Sequence, residues 1–171
     1  MSSKENPRSL REVFEVGMDR SLPEFLEPPT GVQLNLGAGK KLIEGTIPLD
    51  ADNGWRAPKI PYKDESVAAI HAYHFLEHLG KDDLLDTLLE IQRVLVVGGV
   101  LNVVVPHYSA EAAFQDLDHK TFWTESTWSN LFNNPYYDGT VNRDWRLEVA
   151  SLALMGLVGR NLVIVSQLRK F

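Results

Sequence analysis

Paired glycines, strand-end carboxylates and a few histidines are the residues in this sequence that could do chemistry. Gly37 and Gly39 follow a short apolar run in VQLNLGAGKK, residues 32–41. Lacking a Cβ, such residues let backbone amides come close to a ligand, although a tight turn after a buried strand asks for the same residue. Asp50, backed by Asp52, ends a second apolar stretch, TIPLDAD at 46–52. A carboxylate there can accept both hydroxyls of a ribose. His107 follows the run VLNVVVP at 100–106, and His119 lies in the polar stretch beyond it. Either could serve a hydroxyl nucleophile as a general base, a role worth about 10² to 10⁴-fold. The plain alternatives are a hydrogen-bonded strand end for His107 and a loop residue for His119. Tyr73 and Tyr108 could set a ring against a cation, a contact of about 0.5 to 2 kcal/mol. Trp123, in an aromatic-rich C-terminal third, is a candidate for the wall of a substrate pocket.

His74, Glu77 and His78 raise a metal reading. His74 and His78 share a face only if 74–78 is helical, and an i, i+4 pair lacks the HExxH order. Capping of the next helix is the reading adopted, and no metal is expected. A nicotinamide cofactor loses support in the same way, because the GxGxxG fingerprint would need a glycine where Leu42 stands.

The elements that must position these residues alternate between strand and helix. Residues 9–27 carry Leu10, Val13, Phe14 and Met18 at helical spacing, which predicts an N-terminal helical cap within 1–30. The prolines in EPPTG break it, and a strand follows at Val32–Leu36. A second strand is expected within 46–52, and a third at 67–76, where VAAIHAYHFL is apolar almost throughout, as in a strand covered on both faces. The helix predicted over 81–95 has Asp82 and Asp83 in its first turn and one stripe of Leu84, Leu85, Leu88, Ile91 and Leu95. Gly98 and Gly99 are read as its stop, and 100–106 as the strand after it. The tail from Asp144 reads as an antiparallel hairpin turning at Gly156 to Gly159, with a helix at 147–158 as the alternative. Such a pattern predicts an α/β sheet whose ligand lies beyond the carboxyl ends of its strands, around Gly37, Asp50, His74 and His107.

A length of 171 residues suits one domain, 31–171, behind the cap. The net charge of -6 argues against a phosphate-binding surface, so nucleic acid is not an expected partner and a small or neutral substrate is. With no cysteine, disulfides and thiolate chemistry are excluded. No apolar run reaches the roughly 18–20 residues of a membrane span, and the start MSSKENPRSL does not read as a signal peptide. A soluble, cytoplasmic protein without membrane contact is expected, with homodimerisation left open.

Taken in order, four motifs in residues 32–107 resemble the class I S-adenosylmethionine-dependent methyltransferases of the small type 11 kind. LNLGAGK is similar to the family's glycine-rich motif and PLDAD to its acidic ribose motif. IPYKDESVAAIHAYHFLEHL and EIQRVLVVGGVLNVVVPH are similar to its later passages. The resemblance implies a Rossmann-like fold with a mostly parallel sheet, S-adenosyl-L-methionine as cofactor, and methyl transfer to oxygen of a small or sugar-type acceptor. It also implies that Asn35, Leu36, Gly37, Ala38, Gly39 and Lys40 cradle the methionine part. Asp50 with Ala51 would hold the ribose, and Tyr73 and His74 would face the cofactor. Thirteen positions from Gly37 to Asp50 leave room for a first helix of little more than KKLIEG, and the third-strand region is reduced. A catalytically silent protein of the same fold, serving as a binding scaffold, is the alternative.

Overall fold

The computed structural model describes residues 26–40, 42–137, 145–155 and 161–171. The expected N-terminal helix at 9–27 falls almost wholly outside them, as does the turn at Gly156 to Gly159. Among the described residues six strands form one sheet: β1 (Val32–Leu36), β2 (Ile47–Leu49), β3 (Val67–Tyr73), β4 (Leu95–Pro106), β5 (Trp145–Met155) and β6 (Asn161–Lys170), in the order β2-β1-β3-β4-β6-β5. The first four pair in parallel. β6 joins β4 and β5 antiparallel, so the tail is a hairpin and not a helix over 145–155.

Helix α1 (Lys81–Val94) connects β3 to β4 and buries Leu84, Leu88 and Ile91 on the stripe read from the sequence. The helix does not run to Gly98. It ends at Val94, and the strand begins at once with Leu95. Against β3 the register jumps from Leu95 to Val100, so residues 96–99 form a bulge where a helix stop was expected. Helix α2 (Thr127–Asn133) packs Trp128 into the same apolar layer, its indole N–H donating to the Ser166 hydroxyl at 2.9 Å.

Between β1 and β2 the expected short helix is absent among the described residues. The chain turns instead, with the Thr46 amide and hydroxyl both donating to the Ile43 carbonyl. From β2 to β3 it runs through a 3₁₀ turn at Ala51–Asn53 and then without strand or helix, so the reduced third-strand region contains no third strand at all. Alternate residues of a strand face opposite sides. One side carries Leu34, Leu36, Ile70, Ala72, Leu101, Val103, Ile164 and Leu168 into the core under α1 and α2. The other carries a polar line: the side chains of Gln33, His71, Tyr73, Asn102 and Gln167 are joined by hydrogen bonds of 2.9–3.2 Å.

Candidate active site

At the carboxyl edge of the sheet the Gly37 amide donates to the Leu49 carbonyl at 2.8 Å, fastening the end of β1 to the end of β2. Gly37 sits at φ 63°, and a Cβ there would run into the Phe75 ring. The glycine thus lets the loop pass under the residues that follow β3. Gly39 then donates its amide to Asp50 Oδ2 at 3.0 Å, while the Asp52 amide donates to Oδ1 at 3.1 Å. Asn53 closes the turn from the other side by accepting the Asp50 amide at 3.0 Å, a reciprocal capping box. The Asp52 amide first, and the Gly39 amide next, hold the Asp50 carboxyl below its usual range. It is an anion fixed in place at neutral pH.

Asp50 opens onto a cleft of about 440 Å³. Gly37, Asp50 and Ala51 line it from the ends of β1 and β2, and His74, Phe75, His78 and Leu79 from the segment after β3. Trp55, Arg56 and Ala57 add the loop behind the 3₁₀ turn, and Asp83 the first turn of α1. Trp55 is almost fully buried, donates its indole N–H to the Lys59 carbonyl at 2.6 Å, and stands 5.7 Å from the Phe75 ring centre. His74 adopts φ 53° and sets Nδ1 at 3.2 Å from Glu77 Oε1.

Gly37, Asp50, Ala51 and His74 therefore meet at one cleft, and several other candidates do not. Tyr73 was expected to face the cofactor. Strand alternation sends it to the polar side instead, where its hydroxyl lies 3.2 Å from His71 Nδ1 and burial pushes its pKa up. Asn35, Leu36 and Ala38 are buried and Lys40 is exposed, none of them among the lining residues, while Gly39 acts through Asp50. His107 was expected to open onto the cleft. It is 6% exposed, with Nδ1 2.7 Å from the Ser109 hydroxyl and Nε2 3.0 Å from Glu125. Trp123 is not a pocket wall but core, packed at 5.1 Å on Trp128. Tyr108 is half exposed and lies against the His107 ring. His119 donates Nδ1–H to the Ala113 carbonyl at 2.9 Å and packs its ring edge to face with His78, beside the cleft.

Sequence reasoning missed Trp55, Arg56, Phe75, His78, Leu79 and Asp83 as lining residues. One signal was available for the first two. In DADNGW an Asp and an Asn three apart can cap a turn that Gly54 ends, and Trp55 then bonds its amide back to the Asp50 carbonyl at 2.9 Å.

Residues 53–103 match the methyltransferase domain family. The sheet order agrees with that match. The protein has the class I methyltransferase fold. A solved S-adenosylmethionine-dependent methyltransferase from Thermotoga maritima is 17% identical, covers 84% of this chain and 84% of its own, and superposes with a TM-score of 0.56. The YcgJ protein of Bacillus subtilis is 15% identical over 82% of this chain and 92% of its own, with a TM-score of 0.54. The cyclase SpnF shares the fold as well, at 14% identity, 82% and 74% coverage and a TM-score of 0.56. At such identities the likeness concerns the fold. A search of curated protein sequences gave no match. The methyltransferase domain and its fold imply S-adenosylmethionine as the cofactor. Among the described residues no helix is long and apolar enough to cross a membrane.

Proposed function

We propose that this domain transfers a methyl group from S-adenosylmethionine to an oxygen of a small or sugar-type acceptor. The observation that carries the reading is the Asp50 carboxylate, held ionised by the Asp52 and Gly39 amides and facing a cleft at the carboxyl ends of β1, β2 and β3. That is where ligands of open α/β sheets bind. The cleft also falls within the roughly 300–1,000 Å³ range of small-molecule sites.

The residues fit such a cofactor. Asp50 has lone pairs beyond the two that the backbone uses, enough for a ribose hydroxyl pair. Gly37, Ala51 and His74 would hold the remainder, and Trp55 and Phe75 take over the aromatic wall that Tyr73 does not supply. When bound, the cofactor supplies an electrophilic methyl on a sulfonium. The protein's task is then to align the acceptor, and well-oriented partners gain on the order of 7–11 kcal/mol from positioning alone. With both ring nitrogens engaged, His107 is given no base role here. His119 keeps its Nε2 lone pair, available to a proton or to an ion.

S-adenosylhomocysteine at a hundredfold excess over its Kd should stabilise the fold by about 2.7 kcal/mol, raising Tm by about 5–10 °C. Asp50→Ala should remove that shift while keeping the far-UV spectrum. An unchanged shift in the variant would sink the ribose assignment. The absence of any shift in the wild type would sink the methyl-donor reading and leave the scaffold alternative. The fold alone does not fix methyl transfer, since the structurally similar SpnF is a cyclase.

A further inference from the structure

We propose that Glu77, His78 and His119 form a binding site for a divalent transition-metal ion at the edge of the cleft. The three side chains each offer one ligand atom, and these atoms lie within 4.8 Å of one another. Two imidazoles with one carboxylate suit zinc, cobalt or ferrous iron in place of magnesium or calcium, which favour oxygen donors.

The state of Glu77 is what turns this cluster into a site. Its side chain is 1% exposed, and only Oε1 is engaged, by His74 Nδ1 at 3.2 Å. Oε2 is buried without a hydrogen-bond partner among the described residues. Leaving a buried carboxylate oxygen unpaired costs free energy that an incoming cation would recover. His119 is oriented for the same task. Because its Nδ1–H donates to the Ala113 carbonyl at 2.9 Å, the neutral tautomer keeps its lone pair on Nε2, the arrangement that outer-shell partners impose on metal-binding histidines.

The backbone holds these groups together from two distant stretches. The Glu77 carbonyl accepts the amides of Lys120 and Thr121 at 2.8 and 3.1 Å, and the Thr121 hydroxyl donates to the Leu76 carbonyl at 3.3 Å. His119 is thereby fastened next to the 3₁₀ turn Leu76–His78, and its ring centre lies 4.7 Å from that of His78. The sequence pointed to His74 and His78 as the pair to judge. Folding supplies a different set, with His74 buttressing the carboxylate. Since His78 also lines the cleft, the ion would sit at its wall, with positions left for water or an oxygen of a bound molecule.

Metal binding can be read without any methyl donor, so it stands or falls apart from the proposed transfer reaction. Metal-stripped full-length protein is titrated with Co²⁺ alone and followed by its visible d–d absorption, then with Zn²⁺ by calorimetry. The expected result is one ion per chain, with Zn²⁺ bleaching the cobalt bands. His119→Ala and Glu77→Gln should each weaken binding by more than the roughly 10–100-fold that loss of an outer-shell partner costs, and His74→Ala by about that amount. His119 lies in a loop, so its variant keeps the test available if the buried Glu77 change unfolds the protein. Absence of d–d bands, or bands of full strength in the His78→Ala, His119→Ala double variant, would overturn the proposal.

Discussion

Gly37 and Gly39 look interchangeable in the sequence and differ in what surrounds them. Both have positive φ, 63° and 49°, so alanine at either is strained by about 1–2 kcal/mol. Only at Gly37 would the added methyl meet the Phe75 ring, whereas nothing stands within 4 Å at Gly39. Overpacking typically adds about 1–3 kcal/mol. Urea denaturation should therefore show Gly39→Ala losing about 1–2 kcal/mol and Gly37→Ala clearly more. Equal losses would remove Phe75 from the account. At this scale the sequence was informative about residue type and poor on direction. Asp50 could be read because a strand-end acid has few other places to point. Tyr73 and Trp123 could not, since their orientation depends on strand parity and on the packing of α2.

Elements became legible where their periodicity was unambiguous, as in β1, in α1 with its Leu84, Leu88 and Ile91 stripe, and in the apolar run of β4. Where glycine had two meanings the reading failed. Gly98 and Gly99 punctuate a bulge within β4, and residues 42–45, the described end of the segment read as KKLIEG, make a turn fixed by Thr46 in place of a helix. Nor could spacing disclose what holds the loop before β3. The Arg93 guanidinium grips both Glu90 oxygens at 2.8 Å, Asp64 at 2.7 Å, and the carbonyls of Tyr62 and Ile60 at 2.9 and 3.0 Å. Glu90 in turn accepts the Ile60 amide at 3.0 Å. Lysine has no planar fork with which to span these acceptors. Arg93→Lys should cost about 1–3 kcal/mol. It should also weaken S-adenosylhomocysteine binding, because the same loop carries Trp55, Arg56 and Ala57 into the cleft wall. Titration calorimetry on the folded variant checks this, and unchanged affinity beside lowered stability would separate the loop's anchor from the site.

Across the whole molecule the sheet has two unlike faces, one apolar under the helices and one crossed by a polar line through β1, β3, β4 and β6. His71 stands at its centre, fully buried. Its Nδ1 has two donors, the Tyr73 hydroxyl and the Asn102 side-chain amide, each at 3.2 Å, so Nε2–H donates to the Gln33 side-chain Oε1 at 3.1 Å. Asn102 passes the line on to Gln167, which bonds both the amide and the carbonyl of Leu26. Burial lowers the His71 pKa from 6.5 to about 4, so the fold holds it neutral. The unfolded chain takes up a proton below about 6.5 that the folded chain refuses until about 4, and bound protons then favour unfolding. The stability this group supports is accordingly complete above pH 6.5, falls as pH drops from 6.5 to about 4, and levels off below. Over that interval the loss is on the order of 3 kcal/mol. Urea denaturation across the same range, in wild type and His71→Gln, isolates the term, because carboxylates common to both cancel in the difference. The wild type should lose more stability on acidification than the variant. Parallel curves would mean that His71 already carries its proton in the fold, and that the polar line is built around an imidazolium.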